Sequence, residues 1–303
     1  MRLVSLGRLA GIALALCAVL LAARPGRADI VYITNAGSNN IEKFTSDGSS
    51  TVFAGGLKSP VGLAFDSAAN LYTASFNGNN IQKFTPGGVG STFASSGLNQ
   101  PLGLAFDKGG NLFAANFNDN TIEKFTPGGA GSVFASGLNG PTGLAFDRAG
   151  NLYAANTGDG TIKKFAADGS SAFFAGGLNG PLGLAFDSAG NLYAANFGGN
   201  TIEKFTSGGV GSVFASSGLN QPFGLAFDSA GNLYAANFGG NTIEEFTPGG
   251  IGSVFANSGL SNPRFLAFTN DAGVPLPLPI PEPVGLSFAA LAGMALLRRC
   301  RGK

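Results

Sequence analysis

Residues 181–220 read PLGLAFDSAGNLYAANFGGNTIEKFTSGGVGSVFASSGLN. This stretch is one copy of a unit that recurs through most of the chain. Its opening segment, GLAFD, begins at Gly62, Gly103, Gly143, Gly183 and Gly224, and a worn version, FLAFT, begins at Phe265. The steps between copies are 41, 40, 40, 41 and 41 residues. A proline stands two residues upstream each time, at Pro60, Pro101, Pro141, Pro181, Pro222 and Pro263.

Within one copy, short apolar runs alternate with turn chemistry. Leu182–Asp187 predicts a first strand, a. Asp187-Ser188-Ala189-Gly190-Asn191 predicts a tight turn, with Asp to start it and Gly available for positive φ. Leu192–Asn196 predicts strand b, Phe197–Asn200 a turn, Thr201–Thr206 strand c, Ser207–Gly211 a Gly-rich loop and Ser212–Ala215 strand d. Four short strands at this period predict a β-propeller blade. No segment shows the apolar stripe of 3.6-residue period that a helical solenoid needs.

The chain ends fix the number of blades. The body opens at Asp29 with IVYITN, which aligns with NLYAAN, and continues through IEKF from Ile41 and TVFA from Thr51. It therefore starts with strands b, c and d. It ends on FLAFT, a strand a with nothing after it. Pairing that last strand with the first three predicts an all-β, six-bladed propeller over residues 29–269. Such closure removes the open edge that an unfinished repeat would present.

The flanks have a different composition. Residues 1–28 carry Arg2 and Arg8, then an apolar run at 11–23, then Gly26-Arg27-Ala28. The pattern predicts a secretory signal peptide cut between Ala28 and Asp29. Residues 270–283 form a linker whose Pro-rich part, 274–283, is expected to be extended. Residues 284–303 hold a run of 14 apolar or small residues, too short for a comfortable membrane span, followed by Arg298, Arg299, Cys300, Arg301 and Lys303. The basic end would stay on the cytoplasmic side.

Composition narrows the function classes. The chain has no His, and its two cysteines, Cys17 and Cys300, lie in the flanks. The body thus lacks the commonest general base, a cysteine nucleophile and the usual zinc ligands. With the flanking basic residues set aside, residues 29–273 keep 10 basic and 16 acidic side chains. A mildly acidic body without a basic patch argues against nucleic acid.

The tail resembles the PEP-CTERM sorting signal in three parts taken in order: Pro281-Glu282-Pro283, the apolar segment, and the terminal Arg298, Arg299 and Arg301. That resemblance implies a Gram-negative host, export machinery, an exosortase-type processing enzyme, transient membrane attachment and an extracellular destination. The body resembles NHL-repeat propellers, and more loosely the gluconolactonase-like and virginiamycin-lyase-like six-bladed propellers, through its P-x-G-L-A-F-D, N-L-Y-A-A-N and I-E-K-F segments. It departs from the NHL pattern in placing Asn35, Asn116, Asn156, Asn196 and Asn237, with Ser75 in one copy, where Asp is typical.

A catalytic site needs different groups in different roles, so it must break the repeat. The breaks are Lys108, Asp119, Arg148, Asp159, Lys163, Glu245 and Arg264, and all but Arg264 fall in turns or on strand c. No unique acidic cluster emerges, so no catalytic residue, metal site or cofactor is expected. A lactonase-like or lyase-like hydrolase with a divalent cation at the central channel is the competing class. The recurring Asp66, Asp107, Asp147, Asp187 and Asp228 read as turn caps rather than calcium ligands. The b–c and d–a loops share one face, rich in Asn, Ser, Gln and Gly. There Phe76, Phe117, Phe197 and Phe238, with Asn116, Asn156, Asn196 and Asn237, read as a platform for neutral glycans, Thr157 breaking the Phe series. The other reading of these Phe residues is as plugs between blades. The Ile, Phe44-type and Phe65-type positions are assigned to blade packing, and the Glu and Lys of I-E-K-F to a solvated outer edge. The expected protein is a non-enzymatic binding or structural module in the extracellular matrix or at the cell surface, with polysaccharide or surface proteins as partners. A protein-interaction hub is a third option.

Overall fold

The computed structural model describes residues 29–270 and 272–276. Among them are twenty-four strands, numbered β1–β24 along the chain, in six antiparallel sheets of four. In the repeat quoted above, β16 (Pro181–Phe186), β17 (Leu192–Asn196), β18 (Thr201–Phe205) and β19 (Gly211–Ala215) lie side by side. The inner strand starts at Pro181, one residue earlier than the sequence suggested. Pro181 pairs with Asn196 across a bulge that shifts the register before Leu184.

Blade 1 is closed as the chain ends require. β24 (Pro263–Thr269) pairs with β1 (Ile30–Asn35), and β2 (Asn40–Phe44) and β3 (Ser50–Ala54) complete the sheet. Thr269 faces Ile30 and Leu266 faces Ile33. The inner strands β4 (Pro60–Phe65), β8 (Pro101–Phe106), β12 (Pro141–Phe146), β16, β20 (Pro222–Phe227) and β24 each neighbour the next around the axis. The b–c and d–a loops form the upper face of the ring; the a–b and c–d loops form the lower face.

Both sides of each sheet are apolar, so blades hold one another. Every junction carries the same ladder of rings. Tyr193 of strand b meets Phe214 of its own strand d at 5.0 Å and Phe227 of the next inner strand at 5.1 Å, both edge to face. Phe214 in turn reaches Phe246 of the next strand c at 6.2 Å. The ladder crosses the closing junction as well: Tyr234 meets Phe268 of β24 at 4.8 Å, and Phe255 meets Phe44 at 6.4 Å. The Ile41-type residues of strand c are fully buried beside it.

Near the axis the backbones approach too closely for side chains. A Cβ at Gly62, Gly103, Gly143, Gly183 or Gly224 would collide with a backbone oxygen of the next inner strand. The sixth such position is Phe265. Here Thr34 fills the junction, its hydroxyl donating to the carbonyl of Val61 at 2.7 Å and accepting from the amide of Phe265 at 3.0 Å.

The Asp turns behave as caps. Asp187 accepts from the backbone amides of Ala189 and Asn191 at 2.9 and 2.8 Å and from the Asn191 side chain at 2.7 Å. Burial pushes its carboxyl up, but these bonds and Lys204 outweigh it and leave the group below its ordinary range. One expectation is corrected. Glu42, Glu123 and Glu244 are buried rather than solvated, because strand c presents the Glu toward the interior of the blade junction. Burial raises the pKa of Glu123 and of Glu244. The Asn270 amide donates to the carbonyl of Val274 and the Leu276 amide to that of Phe268, so residues 274–276 run back along β24 at the lower face. The calls on residues 1–28 and 277–303, including Ala28, the Pro281-Glu282-Pro283 motif and the terminal Arg cluster, lie outside the described residues. Among the described residues no helix is long and apolar enough to cross a membrane.

Two outcomes are expected. Gly143→Ala should destabilise the ring by roughly 1–3 kcal/mol, because the carbonyl of Leu182 cannot yield without parting two blades. Gly55→Ala, which meets nothing within 4 Å, should be near neutral in the same urea titration. Equal effects would refute the close-approach argument. The raised pKa of Glu123 means that its favourable contribution is complete below the ordinary value of 4.5 and disappears as pH rises through the raised one. Glu123→Gln should therefore raise the melting temperature at pH 7, with the gain vanishing toward pH 4. A gain that persists unchanged at low pH would contradict this.

Candidate binding face

The upper face is built from two tight turns per blade. In most b–c turns the last residue, Asn39, Asn79, Asn120, Asn200 or Asn241, adopts a left-handed backbone with φ between 46° and 57°. Asn tolerates this conformation better than other side chains. Its carboxamide oxygen then accepts from the backbone amide of the d–a loop that precedes the next blade: Ser59, Gln100, Gly140, Gln221 and Asn262, at 2.6–2.8 Å. Those acceptors hold a second left-handed residue just before each inner strand; Gln100 and Gln221 have φ of 51° and 53°. The five Asn side chains are exposed, and their oxygens are spoken for. These exposed carboxamides stand around the rim, each tied to the next blade through its oxygen.

Inside this rim the axis is plugged. The second residue of each inner strand points to the mouth: Val61, Leu102, Thr142, Leu182, Phe223 and Arg264. Val61, Leu102, Leu182, Phe223 and Phe265 form one buried cluster. Phe76, Phe117, Phe197 and Phe238 lie half-buried on top of it. Their rings touch neighbours as well as the plug: Phe197 lies 5.9 Å from Phe238 and 6.1 Å from Phe223. These Phe residues thus pack against the plug and against one another. One side of each ring seals the channel, and each side chain keeps some exposure at the mouth.

The Asn residues picked out with them are placed differently. Asn116, Asn156, Asn196 and Asn237 are 0–1% exposed. Asn116 donates to the carbonyl of Gly97 at 2.7 Å, and Asn237 to that of Gly218 at 2.8 Å. Asn196 donates to Glu203 at 2.9 Å, and Asn156 to Thr161 at 3.3 Å. These side chains staple the loops from beneath. The rim carboxamides come instead from the second Asn of the N-F-G-G-N turn, whose signal was a short polar residue ending a turn in front of a strand.

Two blades break the ring, and they stand opposite each other. In blade 4, Thr142 and Thr157 replace the apolar and aromatic residues; their hydroxyls are 3.1 Å apart and both bond to the carbonyl of Pro181. In blade 1, Arg264 takes the inner position and Ala36 the place of the Phe. The Arg264 guanidinium carbon lies 5.8, 5.3 and 5.6 Å from the ring centroids of Phe76, Phe223 and Phe238. Its Nε is buried with no hydrogen-bond partner, and burial lowers its pKa.

The other breaks in the repeat do not converge. Lys108 reaches the carbonyl of Arg148, and Arg148 that of Ser188, both on the lower face. Asp119 accepts from Asn99, Asp159 from Thr161, and Lys163 donates to the carbonyl of Gly137. Glu245 stands beside Tyr234, whose hydroxyl pKa it helps to raise after burial. Among the described residues no three His, Cys, Asp or Glu side chains come close enough to hold a metal ion. At the lower end the channel opens as a cavity of about 280 Å³ with an apolar lining of the Phe65-type rings, Ala, Leu and the folded-back Leu276.

Comparison with known proteins agrees with this architecture. No family model and no curated protein sequence matches the chain. Solved structures do match. A chain of a nidogen/laminin complex superposes with a TM-score of 0.72 at 22% identity, covering 79% of this chain and 98% of that one. Virginiamycin B lyase from Staphylococcus aureus gives 0.63 at 18% identity, over 80% and 88% of the two chains. A gluconolactonase from Xanthomonas campestris gives 0.61 at 19% identity, over 79% and 91%. The similarity is one of fold, and its bearers include both an enzyme class and a protein found in a protein–protein complex.

Proposed function

We propose that this chain is an exported, non-enzymatic binding module whose upper face takes glycan ligands in the extracellular matrix or at the cell surface. The observation that carries the reading is the mouth itself: half-buried Phe rings on a sealed axis, surrounded by exposed Asn carboxamides. Aromatic faces accept the C–H side of a pyranose ring, and amides meet its hydroxyls. The non-enzymatic part is supported by the absence of His from the whole chain.

The geometry of the ends supports an address on the lower face. Asp29 accepts from the amide and hydroxyl of Ser229 in a lower-face turn at 2.7 and 2.5 Å. Residues 270–276 also run along that face. The signal-like and PEP-CTERM-like segments therefore join the body on the side away from the proposed site. Attachment there, through export machinery and an exosortase-type enzyme, leaves the upper face free.

The full chain should be retained on immobilised extracellular polysaccharide. Phe197→Ala with Phe238→Ala should weaken retention at least tenfold, about 1.4 kcal/mol, while the outer-edge control Phe173→Ala, 71% exposed in the wild type, should leave it unchanged. Absence of retention, or an unchanged affinity in the double variant, refutes the platform.

A further inference from the structure

We infer that Arg264 makes the mouth selective for an acidic sugar, through a carboxylate such as that of a uronic acid. This rests on the glycan reading above and adds the charge of the ligand to it.

The Arg264 guanidinium has its Nε buried without a hydrogen-bond partner. Arg264 is held among Phe76, Phe223 and Phe238, and among the described residues no carboxylate or carbonyl reaches it. Aromatic faces attract a cation but satisfy none of its five N–H donors. Removing such a group from water without an acceptor is unfavourable. Nothing in blade packing asks for it: the equivalent positions are Val61, Leu102, Thr142, Leu182 and Phe223, and they seal the axis without a charge.

A second departure in the same blade opens the site. Ala36 stands where four other blades place Phe, and its amide bonds to the carbonyl of Asn262, two residues before Arg264. The aromatic ring is thus interrupted beside the cation. Arg264 keeps partial exposure there.

The geometry selects the anion. A guanidinium is a planar fork that matches a carboxylate in two parallel bonds. One cation without a second nearby suits a singly charged group better than a phosphate dianion. The rest of the mouth, rings and amide donors, suits the sugar that carries it. A sugar acid could thus set its carboxylate on Arg264, its ring against Phe238 or Phe76, and its hydroxyls toward the rim.

Oligogalacturonate and its fully methyl-esterified form share the same sugar backbone and differ in whether the carboxyl carries a charge or a methyl ester, so the pair probes the carboxylate. By calorimetry, the full chain should bind the acid at least tenfold more tightly than the ester, with the difference shrinking as salt is added. Arg264→Gln should abolish the preference, bringing acid and ester to the same affinity; Arg264→Lys should keep part of it. Ala36→Phe should reduce acid binding without touching the charge, and decides the matter if Arg264→Gln does not fold. Equal binding of acid and ester, or a preference that survives Arg264→Gln, overturns the inference alone. Binding of neither overturns the glycan platform with it.

Discussion

The edge-to-face contact of each strand-b aromatic with the next blade's inner-strand Phe is the interaction on which this ring depends. A single four-stranded sheet with two apolar faces has no stable existence in water, and the ladder from Tyr193 to Phe227 and Phe214 to Phe246 is what covers those faces. Such pairs add ~0.5–1.5 kcal/mol each beyond their burial. Because the contact is always to the neighbour, no blade is complete until the ring is. The glycines at the axis follow from the same demand: inner strands must close to backbone distance for rings further out to meet. The C-terminal strand then matters for more than the pairing it gives β1, since Phe268 supplies the ring that Tyr234 of the last blade would otherwise lack.

Architecture was legible because two independent signals agreed. The 40- or 41-residue period gave the blade, and the mismatch between IVYITN at the start and FLAFT at the end gave the number. The turn caps were legible for the same reason that they work: an Asp, a Gly and an Asn at fixed offsets admit few backbone paths. Less could be seen of which face a polar residue takes. Asn196 looked available because it sits next to a turn, but it ends a strand, and its side chain lies with that of Glu203 beneath the loop. Glu123 looked solvated because it is charged, yet strand c is covered on both sides once the neighbouring blade is in place. The first outcome is set by the strand that pairs with Asn196 in its own blade, the second by the packing of neighbouring elements around strand c.

Repetition also explains where the interest of the molecule lies. Equal blades repeat the same chemistry around the ring, so a group that occurs once has to come from a place where the repeat fails. It fails at the mouth in two opposite blades, with Thr142 and Thr157 on one side and Arg264 with Ala36 on the other. Arg264 was visible in the sequence as an odd residue. Ala36 was not, since an alanine in a loop carries no chemistry until the cation beside it is known.

The two ends of the channel make a consistent pair. The lower end takes the folded-back chain at Leu276 and the first body residue at Asp29. At the upper end, among the described residues, Arg264 is the charged side chain that takes an inner-strand position where the other blades place Val61, Leu102, Thr142, Leu182 and Phe223. A charge in that position costs stability if it only completes the fold, because Val61 and Leu182 show that an aliphatic residue does the same work without desolvation. Its presence is easier to understand as a cost borne in the free protein and offset when an anion arrives, which is the usual energetic signature of a site prepared in advance for its ligand.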